Sequence, residues 1–181
     1  CGKAASRMEV KIDSPDPNTH AGEIICRGTN LMLGYYKNPE ATAQIIDKDG
    51  WLHTGDLGTM DNQGYVTIRG RSKNLLLNSS GHNIYPEEIE SKLNNMLYVS
   101  ESLIVLQNDK LVALIYPDFD EAFANGLQQP DIEKAMENNR IELNLQLPSY
   151  SQITKVKIHF EEFEKTAKKS IKRFMYQEAK G

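Results

Sequence analysis

The chain has 181 residues, 39% hydrophobic and 25% charged, with a formal net charge of −4 at pH 7. That balance describes a soluble globular protein, no apolar run approaches the roughly 20 residues of a membrane span, and the negative charge argues against a dedicated nucleic-acid binder. Two cysteines, Cys1 and Cys26, make neither a metal-binding pair nor a disulfide framework and fit a reducing cytoplasm.

The opening segment, CGKAASRMEVKIDSPDP, has no initiating Met and no apolar signal core, and reads as a start in mid-protein. Alternation in Met8, Val10 and Ile12, then the short apolar run over 23–27, predicts strands around the turn-rich SPDPNTHAG, with Cys26 buried in the second. Trp51 and Tyr65 read as structural aromatics. The turn formers DNQG separate residues 57–60 from 65–69 and predict a hairpin with Val66 and Ile68 on one side.

Behind Gly70 the pattern changes. Residues 73–78 read as a short strand, SSGHN as a turn, and Pro86 opens a helix with Glu87 and Glu88 at its positive dipole end. Ile89, Leu93, Met96 and Leu97 repeat at helical spacing and are expected to face a core. Residues 102–106 and 110–116 flank QND as a second hairpin. Pro130 begins an amphipathic helix with Ile132, Met136, Leu143 and Leu147 inward, and Val156, Ile158 and Phe160 supply a further strand. The sum is a compact α+β unit of about 110 residues. Lys165, Lys168, Lys169, Lys172 and Arg173 concentrate positive charge near the end and read as a solvated basic face.

Thr54, Gly55 and Asp56 carry the first chemical signal. An Asp behind a Gly at a strand tip can offer both carboxylate oxygens to vicinal hydroxyls such as those of ribose. Taken alone, such a tripeptide is more often a turn whose Asp bonds its own backbone. His53 and His82 have no acid partner visible in the sequence and receive no role.

Context changes the weight of Asp56. The segments GEIICRGTNLMLGYYKNPEAT, GWLHTGDLG, GYVTIRGRSKN and SGHNIYPEEIE follow one another in an order that resembles the adenylate-forming (AMP-binding) superfamily. Within it, the ending EEFEKTAKKSIKRFMYQ is similar to that of long-chain fatty-acid CoA ligases, so the chain resembles the C-terminal portion of an acyl-CoA synthetase. The resemblance implies residues 1–69 as the β-structured end of a large AMP-binding domain, 70–73 as a hinge and 74–181 as a mobile α+β lid. It implies ATP, Mg2+ and coenzyme A as cofactors, a carboxylic acid as substrate and a cytoplasmic setting. The acid would attack the α-phosphate of ATP to give an acyl-adenylate and pyrophosphate; the thiol of coenzyme A would then displace AMP.

By the same resemblance, Asp56 and Arg71 contact the nucleotide's ribose, Lys73 is the hinge, and Gly81 lies in a loop that passes the pantetheine arm of coenzyme A. Tyr35 and Tyr36 belong to a scaffold loop packed under the nucleotide motif, with Pro39 and Glu40 starting a short helix. The family's pattern of Thr, two variable residues, often Gly, then Lys, Ile or Leu, any residue and Arg meets TAKKSIKR here. Anchored on Thr166 or on Ile171 and Arg173, the catalytic-lysine position is Ser170, and the neighbouring Lys169 is the candidate to replace it. Serine cannot offset the charge that builds as one anion attacks another. No glycine-rich Ser/Thr loop followed by Lys is present to cradle phosphates, so these residues alone are expected to be inactive. Two alternatives stay open: an adenylating enzyme that loads a carrier protein, and a non-catalytic nucleotide-binding or interaction module. Any dimer of this piece is expected to be artificial.

Overall fold

A computed structural model describes residues 2–177. The chain divides into two compact units, Cys1–Asn74 and Leu75–Gly181.

The first unit is a four-stranded antiparallel sheet in the order β1 (Met8–Asp13), β2 (Gly22–Gly28), β3 (Leu52–Met60) and β4 (Val66–Arg71), with α1 (Pro39–Ile45) between β2 and β3. Asn38 caps α1, its side chain accepting from the Ala41 N–H at 3.0 Å, and Pro39 occupies the first turn, where its missing N–H costs nothing. Ile12, Ile24 and Val66 form a small core with Val10 and Met60 against them. That cluster ends at Val66, which leaves Ile68 exposed rather than paired with it as the alternation predicts. Trp51 is buried as expected, its ring held between Lys11 Nζ at 4.2 Å and Arg27 Cζ at 4.6 Å.

Three other expectations fail in this unit, for one reason: its apolar cluster is too small to reach them. Cys26 is only partly buried, though burial still pushes its thiol pKa up. Tyr65 is about half exposed, with Lys3 Nζ 4.9 Å from its ring. Tyr35 and Tyr36 are exposed alongside Met32 and Leu33 rather than packed.

The second unit begins with two short paired strands, β5 (Leu76–Leu77) and β6 (Asn83–Ile84), and then α2 (Pro86–Leu93). The expected strand over 73–78 is a single 3-10 turn, Ser72–Asn74, followed by the two leucines alone. Ser and Asn bond locally and resist extension. β7 (Val99–Gln107) and β8 (Lys110–Pro117) form the predicted hairpin, and β9 (Lys155–Ile158) joins β8 in parallel. A parallel neighbour needs a crossover, and α3 (Phe119–Ala124) and α4 (Gln129–Asn144) provide it.

Both faces of this sheet are covered, which explains the near-continuous apolar runs SLIVL and LVALI. Ile104, Leu111, Ala113 and Ile115 point to the helices and meet Ile89, Leu93, Ile132, Met136 and Leu143. Leu103, Val105, Val112 and Leu114 point the other way and are covered by Phe163, Ile171 and Tyr176 from the C-terminal segment. Leu97 is exposed because α2 stops at Leu93, and Asn94 and Asn95 break the helical spacing beyond it. Phe160 lies past the end of β9, exposed, its ring 6.1 Å from Phe119. α3 escaped the sequence reading, although Asp118 caps it by accepting from the Glu121 N–H at 2.9 Å.

Candidate nucleotide site

Strands β3 and β4 place Asp56 directly opposite Arg71, and Arg71 Nε lies 2.9 Å from Asp56 Oδ1. Arg71 also donates from Nη1 to the Thr54 carbonyl at 3.2 Å. The Asp side chain is 32% exposed and the Arg side chain 52%. A carboxylate has about four acceptor positions and a guanidinium five N–H donors, so the pair retains capacity for two vicinal hydroxyls after bonding to each other. The Asp does not fold back on its own backbone, as a free turn would have it. Instead its N–H donates to Thr54 Oγ1 at 3.1 Å. Among the described residues no group of three His, Cys, Asp or Glu could hold a metal ion.

Two residues absent from the sequence reading stand behind Asp56. Glu23 of β2 accepts from the Gly55 N–H through Oε1 and meets His53 Nδ1 through Oε2, both at 2.8 Å. His53 Nε2 lies 3.7 Å from Asp47 Oδ2 on its other side. His53 therefore has the acid partners that its sequence neighbourhood hid. The hydrogen bond to Glu23, with the charges of Glu23 and Asp47, raises its pKa above the ordinary imidazole value.

Lys73 lies in the 3-10 turn at the end of the first unit. Gly81 occupies the SSGHN turn with φ +77°, and the space where a Cβ would stand is open. Asn78 organises that turn by accepting from the N–H groups of Ser80 and His82, and Asp109 accepts from the Ser79 N–H. The His82 ring stacks on Tyr150, centroids 4.6 Å apart.

The C-terminal basic cluster is not a plain solvated face. Lys165 pairs with Glu101 at 2.8 Å, Lys172 with Glu164 at 3.2 Å, and Arg173 grips buried Glu90, Nη1 to Oε1 at 2.8 Å and Nη2 to Oε2. Glu90 also accepts from the Ile104 N–H at 2.7 Å. Burial pushes the Glu90 carboxyl up, and Arg173 offsets this in part. Between these anchors the chain makes a tight hairpin. Thr166 N–H donates to the Ser170 carbonyl at 2.8 Å, Lys169 N–H to the Thr166 carbonyl at 2.9 Å, and Lys165 bridges Ile171. Lys168, Lys169 and Ser170 are exposed at its tip.

Lys169 has φ +59°, the left-handed conformation that closes a three-residue hairpin loop. It is thus a turn residue rather than an extended one. The family pattern often has Gly at this place, and the turn supplies the reason: only Gly adopts that conformation without cost.

The profile of the family described as "AMP-binding enzyme C-terminal domain" matches residues 73–179. The chain belongs to that family. A 7a-methyl-1,5-dioxo-octahydroindenyl propanoyl:CoA ligase from Rhodococcus jostii strain RHA1 is 48% identical over 104 residues, 58% of this chain and 19% of the relative. The 2-methylpropanoate–CoA ligase of Humulus lupulus is 33% identical over 181 residues, 94% of this chain and 31% of the relative. The chain therefore spans a fifth to a third of the length of these relatives. Among solved structures, ATP-bound MatB from Rhodopseudomonas palustris superimposes with a TM-score of 0.69 at 26% identity, over 97% of this chain and 34% of that one. O-succinylbenzoate coenzyme A synthetase from Bacillus subtilis, in complex with AMP, gives 0.76 at 24% identity over 98% and 35%, which bears on the fold alone. The α+β architecture is that of the C-terminal part of adenylate-forming enzymes.

Proposed function

We propose that these residues are the C-terminal portion of an acid–thiol ligase that activates a carboxylic acid with ATP and passes the acyl group to coenzyme A. The observation that carries the proposal is the Asp56–Arg71 pair, half open to solvent on adjacent strands and shaped for a ribose. In the first half-reaction a carboxylate oxygen attacks the α-phosphorus of ATP and pyrophosphate leaves, with Mg2+ as the companion of the phosphates. In the second the thiol sulfur attacks the acyl carbon, its proton is released to solvent and AMP leaves. What this chain's residues do is hold and orient: Asp56 accepts from the ribose hydroxyls, Arg71 contacts the same ribose and fixes the Asp56 carboxylate, and Lys73 is the pivot between the two half-reactions. Gly81 gives the pantetheine arm close passage along the backbone. Lys169 supplies positive charge near the reacting carboxylate in place of the lysine that Ser170 lacks.

Relatives named for 2-methylpropanoate, 4-coumarate and a bicyclic propanoate favour a small or ring-bearing acid, whereas the C-terminal segment favours a long-chain fatty acid. The fatty acid is retained as the first substrate to test. A cytoplasmic setting is part of the proposal; among the described residues no helix is long and apolar enough to cross a membrane. The test is thioester formation by the full-length protein, with ATP and a panel of fatty, short branched and aromatic acids, offered coenzyme A or a carrier protein as acceptor. Thioester on coenzyme A supports the proposal. Acyl transfer only to a carrier protein, or AMP binding with no turnover of any acid, would replace it with one of the two alternatives.

A further inference from the structure

The ladder between β2 and β3 breaks where the ribose grip is built. Glu23 pairs with Leu57 and Ile25 with His53, so Thr54, Gly55 and Asp56 together face Ile24 alone. Such a bulge leaves backbone groups without strand partners, and bulges beside functional sites re-aim a side chain. Side chains fill the gap here. Thr54 Oγ1 donates to the Ile24 carbonyl at 2.6 Å, and Glu23 Oε1 takes the Gly55 N–H. Gly55 has φ +72°, a conformation that turns its N–H out of the ladder toward that carboxylate.

We infer that Glu23 is the positioning residue of the nucleotide grip: by bridging His53 and the Gly55 N–H it holds the bulge that aims Asp56 and Arg71. The inference rests on the proposed nucleotide site and adds to it. Glu23 belongs to a different strand from Asp56. Its two oxygens fix two points of β3 that flank Thr54, and Thr54 carries both the acceptor for the Asp56 N–H and the carbonyl that receives Arg71. Asp47 closes the other side of the clamp. Its Oδ1 accepts from the N–H groups of Trp51 and Asp49, each at 2.9 Å, while Oδ2 faces His53. The charged groups that face His53 are thus Glu23 from β2 and Asp47 from the loop before β3, one on each ring nitrogen.

The experiment measures AMP affinity by calorimetry in the full-length protein for Asp56→Ala, Glu23→Ala, Glu23→Gln and Glu9→Ala. Glu23→Ala is expected to weaken AMP about ten-fold, as loss of a charge-assisted hydrogen bond does. Glu23→Gln provides the reading that a merely structural role would not move. Its amide oxygen still accepts from Gly55 and its NH2 donates to neutral His53, so affinity is near wild type at about pH 8; at about pH 5.5 the NH2 opposes a protonated ring and affinity falls. Glu9→Ala removes the Arg27 ion pair from the same sheet and is expected to leave AMP binding unchanged, which separates positioning from general loss of stability. If Glu23→Ala binds AMP as tightly as wild type while Asp56→Ala does not, or if Glu23→Gln shows no difference between the two pH values, the positioning role is overturned and the nucleotide site stands. Wild-type affinity in Asp56→Ala overturns the site itself.

Discussion

Two arginine–carboxylate pairs divide the work of this chain, and burial separates them. Arg173 and Glu90 lie 83 residues apart in sequence and meet with side chains 14% and 9% exposed, the carboxylate also taken by the Ile104 N–H. Arg71 and Asp56 meet across adjacent strands with side chains 52% and 32% exposed. The buried pair is closed to solvent and anchors the C-terminal hairpin to the sheet. The open pair contributes little to stability and keeps capacity for a ligand. The same two functional groups make a structural tie or a candidate binding site according to what surrounds them.

The largest effect is expected from breaking the buried pair. Arg173→Ala leaves an uncompensated buried carboxylate and should cost about 3–5 kcal/mol, read as a lower denaturant midpoint. A cost under about 1 kcal/mol, the value of a surface pair, would erase the contrast. Next comes the hairpin that the pair anchors. Lys169→Ala in the full-length protein should slow adenylate formation about 100-fold, while thioester formation from a supplied acyl-adenylate is kept. An unchanged adenylation rate would remove Lys169 from the mechanism. Arg71→Lys keeps the charge but loses the fork, and should raise the KM for ATP about ten-fold with stability changed by less than about 1 kcal/mol. A large stability loss there would make the open pair structural after all.

Smaller effects follow from backbone and pH. Lys169→Gly relieves the left-handed strain and should gain about 1 kcal/mol in stability, even as it removes the lysine. The raised pKa of His53 means that the folded state binds its proton more tightly than the unfolded state. The resulting stability is fully present below the ordinary imidazole range and lost as pH rises through the raised value. Melting temperatures across that range should fall in the wild type and flatten in His53→Gln.

Local chemistry made much of this legible in the sequence. Pro86 with Glu87 and Glu88 announced α2, QND announced the β7–β8 turn, and the buried spacing of Ile132, Met136 and Leu143 announced α4. Asp56 and Arg71 became candidates through the resemblance carried by GWLHTGDLG and GYVTIRGRSKN, since a TGD tripeptide alone is more often a turn. Glu23, His53 and Arg173 were not, because each draws its meaning from a partner 30 or more residues away. The register sets Glu23 opposite Leu57 and His53 opposite Ile25, so the Glu23–His53 contact is not a direct cross-strand pair. The bulge that sends Glu23 to Gly55 as well has no signal beyond the glycine itself. Leu97 and Phe160 show the converse failure: apolar periodicity continued past the point where the element had ended.

The open pair is proposed to grip the nucleotide of an acyl-CoA ligase. Pyrophosphate release by the full-length protein, with ATP and an accepted acid, compared between wild type and Asp56→Ala, tests it most directly. The KM for ATP should rise about ten-fold or more in the variant, with the fold intact by melting temperature. Equal KM and equal rate in both proteins would contradict it.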